Sequence, residues 1–257
     1  MTLAIANIYR HPVKGLTPER LARVELTPGE GLPYDRRFAI AHGATRFDPG
    51  APEWMPKTNF LMLMKDERLA KLRTSFDDAT GLLTIERDGK TVARASLEEQ
   101  TGRTVLEQFF GAYLKAESRG APKIVSAPGH MFSDVAAKVV SIIGLASIGD
   151  LERVVRAPVD PRRFRANVYF SGGRPWEEMQ WVGREIAIGP PGNHVQLEVI
   201  KPITRCAATN VNPETAERDL NLPLALQQGF GHPTMGIYAR VVSGGTIAIG
   251  DAIVPAA

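Results

Sequence analysis

Cysteine is nearly missing from this chain: Cys206 is the only one among 257 residues. A single thiol excludes an internal disulfide, and it excludes an iron–sulfur cluster held by this chain's own cysteines. Any redox chemistry must therefore draw electrons from outside. Histidine is sparse as well, with five residues at 11, 42, 130, 194 and 232 and none of the close pairings that zinc sites use. No stretch approaches the roughly 20 uninterrupted apolar residues of a membrane span, so no membrane partner is expected. The opening MTLAIANIYRHPVK has no charge before its short apolar run and no small-residue cleavage site. This predicts no secretory signal and a cytoplasmic location. A net charge of only +3 implies no nucleic-acid partner. Internal repeats and low-complexity tracts are absent.

What is present is an ordinary globular composition, 44% hydrophobic and 23% charged, in a chain long enough for one large domain or two small ones. Residues 3–10, 21–26 and 38–41 read as strands. Residues 82–87 and 91–97 around Asp88-Gly89 read as a hairpin, because Asp-Gly accepts the positive φ angles of a type I′ turn. A short helix is predicted over 66–73. The Gly- and Pro-rich stretch 42–60 has no usable period, and a loop of this length suggests a wall or lid of a site. Near residue 98 the texture changes. Helices are predicted over 98–114 and 145–155, followed by strands at 166–171, 184–188, 195–200, 235–242 and 246–253. The expected fold is mixed β/α, a β-barrel core with a smaller β-rich N-terminal domain and a few peripheral helices, divided as residues 1–97 and 98–257.

Three clusters carry candidate chemistry. Cys206 follows Arg205 in KPITRCAATNVNP, and a neighbouring guanidinium favours thiolate, the form that ligates metals or attacks electrophiles. The alternative is a buried thiol acting as a small hydrophobe. In DPRRFRAN, Arg163 and Arg165 lie two apart, so in an extended segment they project to one face as a clamp for an anion. A solvated basic loop is the alternative. The segments HPVKGL and LPYDRRF place Lys14 and Arg36 at strand–loop boundaries, with Gly15 allowing close backbone approach. Taken singly, these two are surface charges; together with the arginines they can converge on a dianion.

In order, HPVKGL, LPYDRRFAI, DPRRFRANV, EEMQWVG, RCAATNVNPETAERD and GIYARVVSGGTIAIGD resemble the MOSC-domain proteins with an N-terminal MOSC β-barrel domain, over residues 3–254. The pattern is similar to that of the amidoxime-reducing component family and its bacterial counterparts. The resemblance implies a MOSC-type barrel binding molybdenum–molybdopterin, with Cys206 as the protein ligand to the metal. It implies cofactor contacts at Lys14, Arg36, Arg165 and Asn167, at Ser147 as the small polar residue opening the middle helix, and at Arg163, Thr204 and Arg205. A soft thiolate suits a redox metal, and buried arginines are tolerable when an anion pairs with them. The chain departs from many relatives at Gly15, where they carry serine, and at Ala216, where they carry glycine.

The activity so implied is a molybdenum-dependent reduction of N-hydroxylated small molecules such as amidoximes or hydroxylaminopurines. Its electrons would come from a separate flavoprotein or iron–sulfur protein. Asp219 is a candidate for proton handling, with a solvated or capping aspartate as the alternative. The rival reading is a sulfur or cofactor carrier, in which Cys206 holds a persulfide or the cofactor without turning over small substrates. The loop 42–60, with Trp54 and Phe60, is expected to border the substrate opening.

Overall fold

The N-terminal run IANIYR buries Ile5, Ile8 and Arg10, with a register shift between Ile5 and Asn7 interrupting the alternation, and this strand opens a computed structural model that describes residues 2–115, 117–190, 192 and 194–256. The first strands are β1 (Ala4–Arg10), β2 (Glu19–Leu21), β3 (Arg23–Leu26) and β4 (Ala39–Ala41). The expected single strand over 21–26 is thus two, broken at Ala22, because β2 pairs with β1 while β3 pairs elsewhere. A meander follows, with β5 (Arg73–Asp77), β6 (Leu82–Arg87) and β7 (Lys90–Ser96). Asp88 and Gly89 sit at φ 52° and 73°, as the hairpin requires. The segment 66–73 forms a 3-10 turn over Glu67–Lys71, with Leu69 buried.

Then come α1 (Gln100–Tyr113), β8 (Lys123–Val125), β9 (Val140–Gly144), α2 (Leu145–Val155), β10 (Val168–Ser171) and β11 (Glu185–Ile188). The chain finishes with β12 (Val195–Thr204), α3 (Leu222–Phe230), β13 (Thr234–Ser243), β14 (Gly245–Ala248) and β15 (Ile253–Pro255). Helix α3 was not anticipated, although its signals are in the sequence. Asn221 caps it by accepting from the Leu224 amide, a proline lies in its first turn, and Gly231 ends it at φ 78°.

Eight strands form the main sheet in the order β15-β11-β12-β13-β9-β10-β1-β2. Its one parallel pair, β9–β10, is joined through α2. The architecture is mixed α/β and mostly sheet, with three helices among the described residues. It differs from the expected barrel. The start of β1 meets the approach to β15 at an isolated bridge between Ala4 and Ala252 and through backbone hydrogen bonds of Leu3 and Ile5 to residues 250–253, but among the described residues no ladder runs round to close the sheet. The predicted strand over 246–253 is split, β14 pairing with β3 and β15 with β11, which diverts the residues that a closed ladder would need.

The two largest of four apolar clusters among the described residues account for most of the core. One lies on the main sheet and includes Ile5, Ile8, Ile142, Phe170, Trp181, Leu197 and Ile237. The other gathers Val13, Leu16, Phe38, Leu61, Leu69, Phe76, Leu83 and Ile85 with Leu97, Leu106, Phe110 and Leu114. Each fully buried side chain of this size contributes about 1.5–3 kcal/mol. Residue 97, expected to end the first domain, is inside the second cluster, and α1 packs its Leu106–Phe110–Leu114 stripe onto it. The strand β1, by contrast, belongs to the main sheet. The two halves thus exchange elements, and the candidate residues gather where they meet.

Candidate active site

A cavity of about 420 Å³ opens between the two halves. Its wall includes Lys14, Arg36, Arg163, Arg165, Asn167, Thr204, Arg205 and Cys206, residues drawn from distant parts of the chain. The cysteine comes from β12, which runs four residues further than the apolar pattern suggested. Lys201, Pro202 and Thr204 pair with Tyr238, Ile237 and Thr234 of β13. Pro202 is accommodated because register shifts flank it on both sides. Cys206 then caps a 3-10 turn over Ala207–Asn210 and is half-buried.

Arg205 does not reach across to the thiol. Its guanidinium donates to the Met235 carbonyl at 2.8 and 2.6 Å and to the Phe164 carbonyl at 2.9 Å, and lies over the Phe164 ring. It therefore fixes the backbone that carries Cys206. Lys57, from the loop 42–60, lines the same cavity as the thiol. Burial alone would pull the Lys57 ammonium down, but Asp134 and Cys206 hold it above its ordinary value. The loop reaches the site in this way, while its Trp54 is exposed and donates to the Ser133 carbonyl at 3.3 Å, and Phe60 is buried.

Arg36 and Arg165 both adopt left-handed backbone, at φ 52° and 53°. Such a conformation costs a non-glycine residue about 1–2 kcal/mol. Arg36 ion-pairs with the buried Asp35 and donates to the Arg165 carbonyl at 2.9 Å. Arg165 donates to the Leu16 carbonyl at 2.7 Å. Burial, reinforced by Arg36, lowers the Arg165 guanidinium to about 10. Burial would raise Asp35, yet Arg36 and then His11 hold it well below the usual carboxylate range. Asp35 also accepts from the His11 amide at 2.7 Å. The His11 ring is fully buried; its Nδ1 lies 3.4 Å from Asp35 Oδ1, and neither nitrogen makes a hydrogen bond of good geometry. Burial, with Arg165 and Arg36 nearby, pushes it down to about 3, so it is neutral.

Lys14 is buried and donates to the Phe132 carbonyl at 2.9 Å and to Asp134 at 2.5 Å. Burial lowers its ammonium, and Asp134 opposes that fall. Asp134 in turn is held well below its ordinary value, because Lys14, Lys57 and Arg36 overcome its burial. The lining holds seven basic side chains, including Lys201, against this single carboxylate. Asn167 is a strut. Its oxygen accepts from the Ser141 amide and hydroxyl at 3.0 and 2.7 Å, and its amide donates to the Tyr9 carbonyl at 3.2 Å.

Three sequence expectations need correction. Arg163 and Arg165 do not share the face of an extended segment: Asp160 and Pro161 start a 3-10 turn over Pro161–Phe164, and Arg165 leaves it in the left-handed region. Asp219 is not on the cavity wall beside Cys206; it accepts from Arg163 at 2.7 Å through each oxygen and from Asn212 at 2.8 Å. Arg163 and Asn212 outweigh its burial and keep it ionised below the usual range, which suits a strut better than a proton carrier. Ser147 is also outside the cavity. Its hydroxyl donates to the buried Glu178 at 2.8 Å and accepts from the Trp176 amide at 2.8 Å, so its one proton is committed within the protein. Lys57, Asp134, Lys201 and Tyr238 were missed. Only Lys57 had a signal, its place in the suspect loop.

This cationic, thiol-bearing cleft within a mixed sheet fold defines the class, and sequence comparison assigns the family. The chain belongs to the MOSC family: the MOSC N-terminal beta barrel domain model matches residues 2–134 and the MOSC domain model residues 127–254. It is 29% identical to mitochondrial amidoxime reducing component 2 of Bos taurus over 126 residues, which are 44% of this chain and 36% of that protein. It is 30% identical to mitochondrial amidoxime-reducing component 1 of Mus musculus over 124 residues, 44% of this chain and 35% of that one. The molybdenum cofactor sulfurase of Caenorhabditis briggsae is 26% identical over 247 residues, 92% of this chain and 33% of its own length. The matched region thus spans about a third of these relatives. Among solved structures, the YuaD protein of Bacillus subtilis aligns over 98% of this chain and 94% of its own, with 14% identity and a TM-score of 0.45. No helix among the described residues is long and apolar enough to cross a membrane. These relatives and the family models support a molybdenum-cofactor-associated function.

Proposed function

We propose that the cavity holds molybdenum–molybdopterin with Cys206 as the metal's protein ligand, and that the loaded protein reduces N-hydroxylated compounds with electrons from a separate flavoprotein or iron–sulfur protein. One observation carries this: the chain's only thiol is on the wall of a cavity lined by seven basic groups and one acid. The residues fit such a group. An anionic, phosphate-bearing ligand answers the charge excess, a soft sulfur suits a redox metal, and the buried Arg163 Nε still lacks a partner. When bound, the cofactor supplies two-electron redox chemistry at a centre that accepts oxygen.

Lys14, Arg36 and Arg165 would hold the phosphate-bearing end, where fixed cations are worth most. Arg163 and Asn167 stiffen the wall, Arg205 sets the backbone of Thr204–Cys206, and Asp219 keeps Arg163 in place. Reduction of R–NHOH to R–NH2 and water consumes two electrons and two protons. With one cysteine, already committed to the metal, the chain has no relay of its own. The test is metal and pterin analysis of purified protein, with dye-reduced turnover of benzamidoxime. One equivalent of each, lost in Cys206→Ala together with turnover, is expected; a metal-replete Cys206→Ala protein refutes the ligand assignment.

A second reading rests on a different observation, that the relative matching 92% of this chain is named a molybdenum cofactor sulfurase. In that reading Cys206 carries sulfur or the cofactor for delivery. Intact-mass measurement separates the two: a stable +32 Da persulfide on Cys206 in metal-free protein favours the carrier.

A further inference from the structure

Most cations of the cavity are already engaged by the protein. Arg205 is spent on the Met235 and Phe164 carbonyls, Arg165 on Leu16, Arg36 on Asp35, and Lys14 on Phe132 and Asp134. Two lysines on the same wall differ. Lys201 is exposed and has neither a hydrogen bond nor an ion pair among the described residues. Lys57, whose side chain is 29% exposed, donates to one Asp134 oxygen at 3.4 Å, a longer contact than the 2.5 Å that Lys14 makes to the other oxygen. Tyr238 lines the same cavity opposite Lys201 in the β12–β13 register, its hydroxyl without a hydrogen bond among the described residues. These three come from the loop 42–60, β12 and β13, and all line the cavity that Cys206 lines.

The two sets divide by partners more than by depth: Lys14 and Arg163 are buried, Arg36, Arg165 and Arg205 are half-buried as Lys57 is, and Lys201 is exposed. A cofactor phosphate is answered by the fastened set. Lys57, held by one long ion pair, and Lys201, held by none among the described residues, are left over on the wall that the thiol shares. Exposed lysines attract anions at long range and cost little desolvation, while a free phenol supplies a directed hydrogen bond.

We propose that Lys57, Lys201 and Tyr238 form a recognition site for an anionic group on the substrate, a carboxylate or phosphate, next to Cys206. This rests on the cofactor-dependent reading above. It narrows the substrate class to N-hydroxylated compounds that carry a negative charge.

Because the chain has one cysteine, the local charge can be read without turnover. In metal-free full-length protein, Cys206 is alkylated with iodoacetate or with iodoacetamide, and the two second-order rate constants are compared by intact mass. Both reagents use the same thiolate, so their ratio isolates the attraction for a carboxylate. The ratio should exceed that of a neutral cysteine amide by about fivefold at low salt and lose most of that excess in Lys57→Gln/Lys201→Gln. An unchanged ratio in the double variant overturns the proposal.

In molybdenum-loaded, dye-reduced protein, 4-carboxybenzamidoxime is compared with benzamidoxime, and hydroxylaminopurine nucleoside monophosphate with the free base. The expected result is a preference of about tenfold in kcat/KM for one anionic member, expressed in KM and erased in the double variant. Which pair shows it tells carboxylate from phosphate. Equal kcat/KM within both pairs overturns the inference while leaving the reductase reading intact. Protein that takes up no molybdenum defeats the reductase reading, and the alkylation ratio still decides the charge site.

Discussion

The Arg36 guanidinium donates to the backbone carbonyl of Arg165 at 2.9 Å, across 129 residues of sequence. Both residues hold left-handed backbone, so each half of the molecule contributes one strained arginine and the hydrogen bond fastens them together. Beneath them Asp35 supplies the compensating charge.

Removing that charge should be costly. Asp35→Asn leaves Arg36 without its carboxylate, and breaking a buried pair from one side costs about 3–5 kcal/mol. Urea denaturation at pH 7 checks this. The folded-state carboxyl is depressed, so its contribution is present above the ordinary carboxylate range and is lost as pH falls through and below it. The gap between wild type and Asp35→Asn should therefore close in acid.

His11 produces a dependence in a different window. Its folded-state value is lowered from 6.5 to about 3, so the unfolded chain takes up a proton that the folded chain refuses. Stability from this residue is complete above 6.5 and declines as pH drops toward 3, at up to about 1.4 kcal/mol per pH unit. His11→Phe removes the term and the orphaned ring nitrogens together. It should flatten the stability profile between pH 6 and 4, and an unchanged slope would count against the neutral buried imidazole.

The loop after Cys206 is clasped to the N-terminal half. Arg218 donates to the carbonyls of Ala207, Leu63 and Met64 at 3.1, 3.1 and 2.9 Å and pairs with Glu67 at 3.0 Å, while Arg73 donates to the Pro213 carbonyl at 2.7 Å. Arg218→Ala should speed amide exchange over residues 207–219 by about tenfold, corresponding to about 1.4 kcal/mol of local stability. Exchange unchanged there would mean that the loop is held by other contacts.

Ser147→Ala separates stability from loading. The loss leaves Glu178, whose carboxyl burial already raises, and the Trp176 amide each short of a partner. A destabilisation of about 1–3 kcal/mol is expected, with molybdenum content unchanged. A drop in loading at full stability would return Ser147 to the site.

Local chemistry was legible wherever it is decided locally. Asp88-Gly89 specified a hairpin, the stripes of α1 and α2 specified helices, and the order of short motifs specified the family. The strand β5 was not legible, since RTSFD buries only Phe76 and has no alternation to read. Nor was the end of β12, because Pro202 is tolerated only through bulges that the partner strand dictates. The adjacency of Arg205 and Cys206 suggested a thiol tuned by its neighbour; the fold instead spends Arg205 on two carbonyls and brings Lys57 to the cavity wall that Cys206 lines.

By itself, then, the sequence determined that one thiol is available, that no cluster can be held by this chain's cysteines, and that Lys14, Arg36, Arg165 and Cys206 belong to one ordered set of motifs. Which cations are spent, and which stay free, was decided by tertiary structure. A charge becomes a strut or a recognition group according to the carbonyls and carboxylates that packing brings within 3 Å or so of it, and those partners come from segments that the local sequence cannot name.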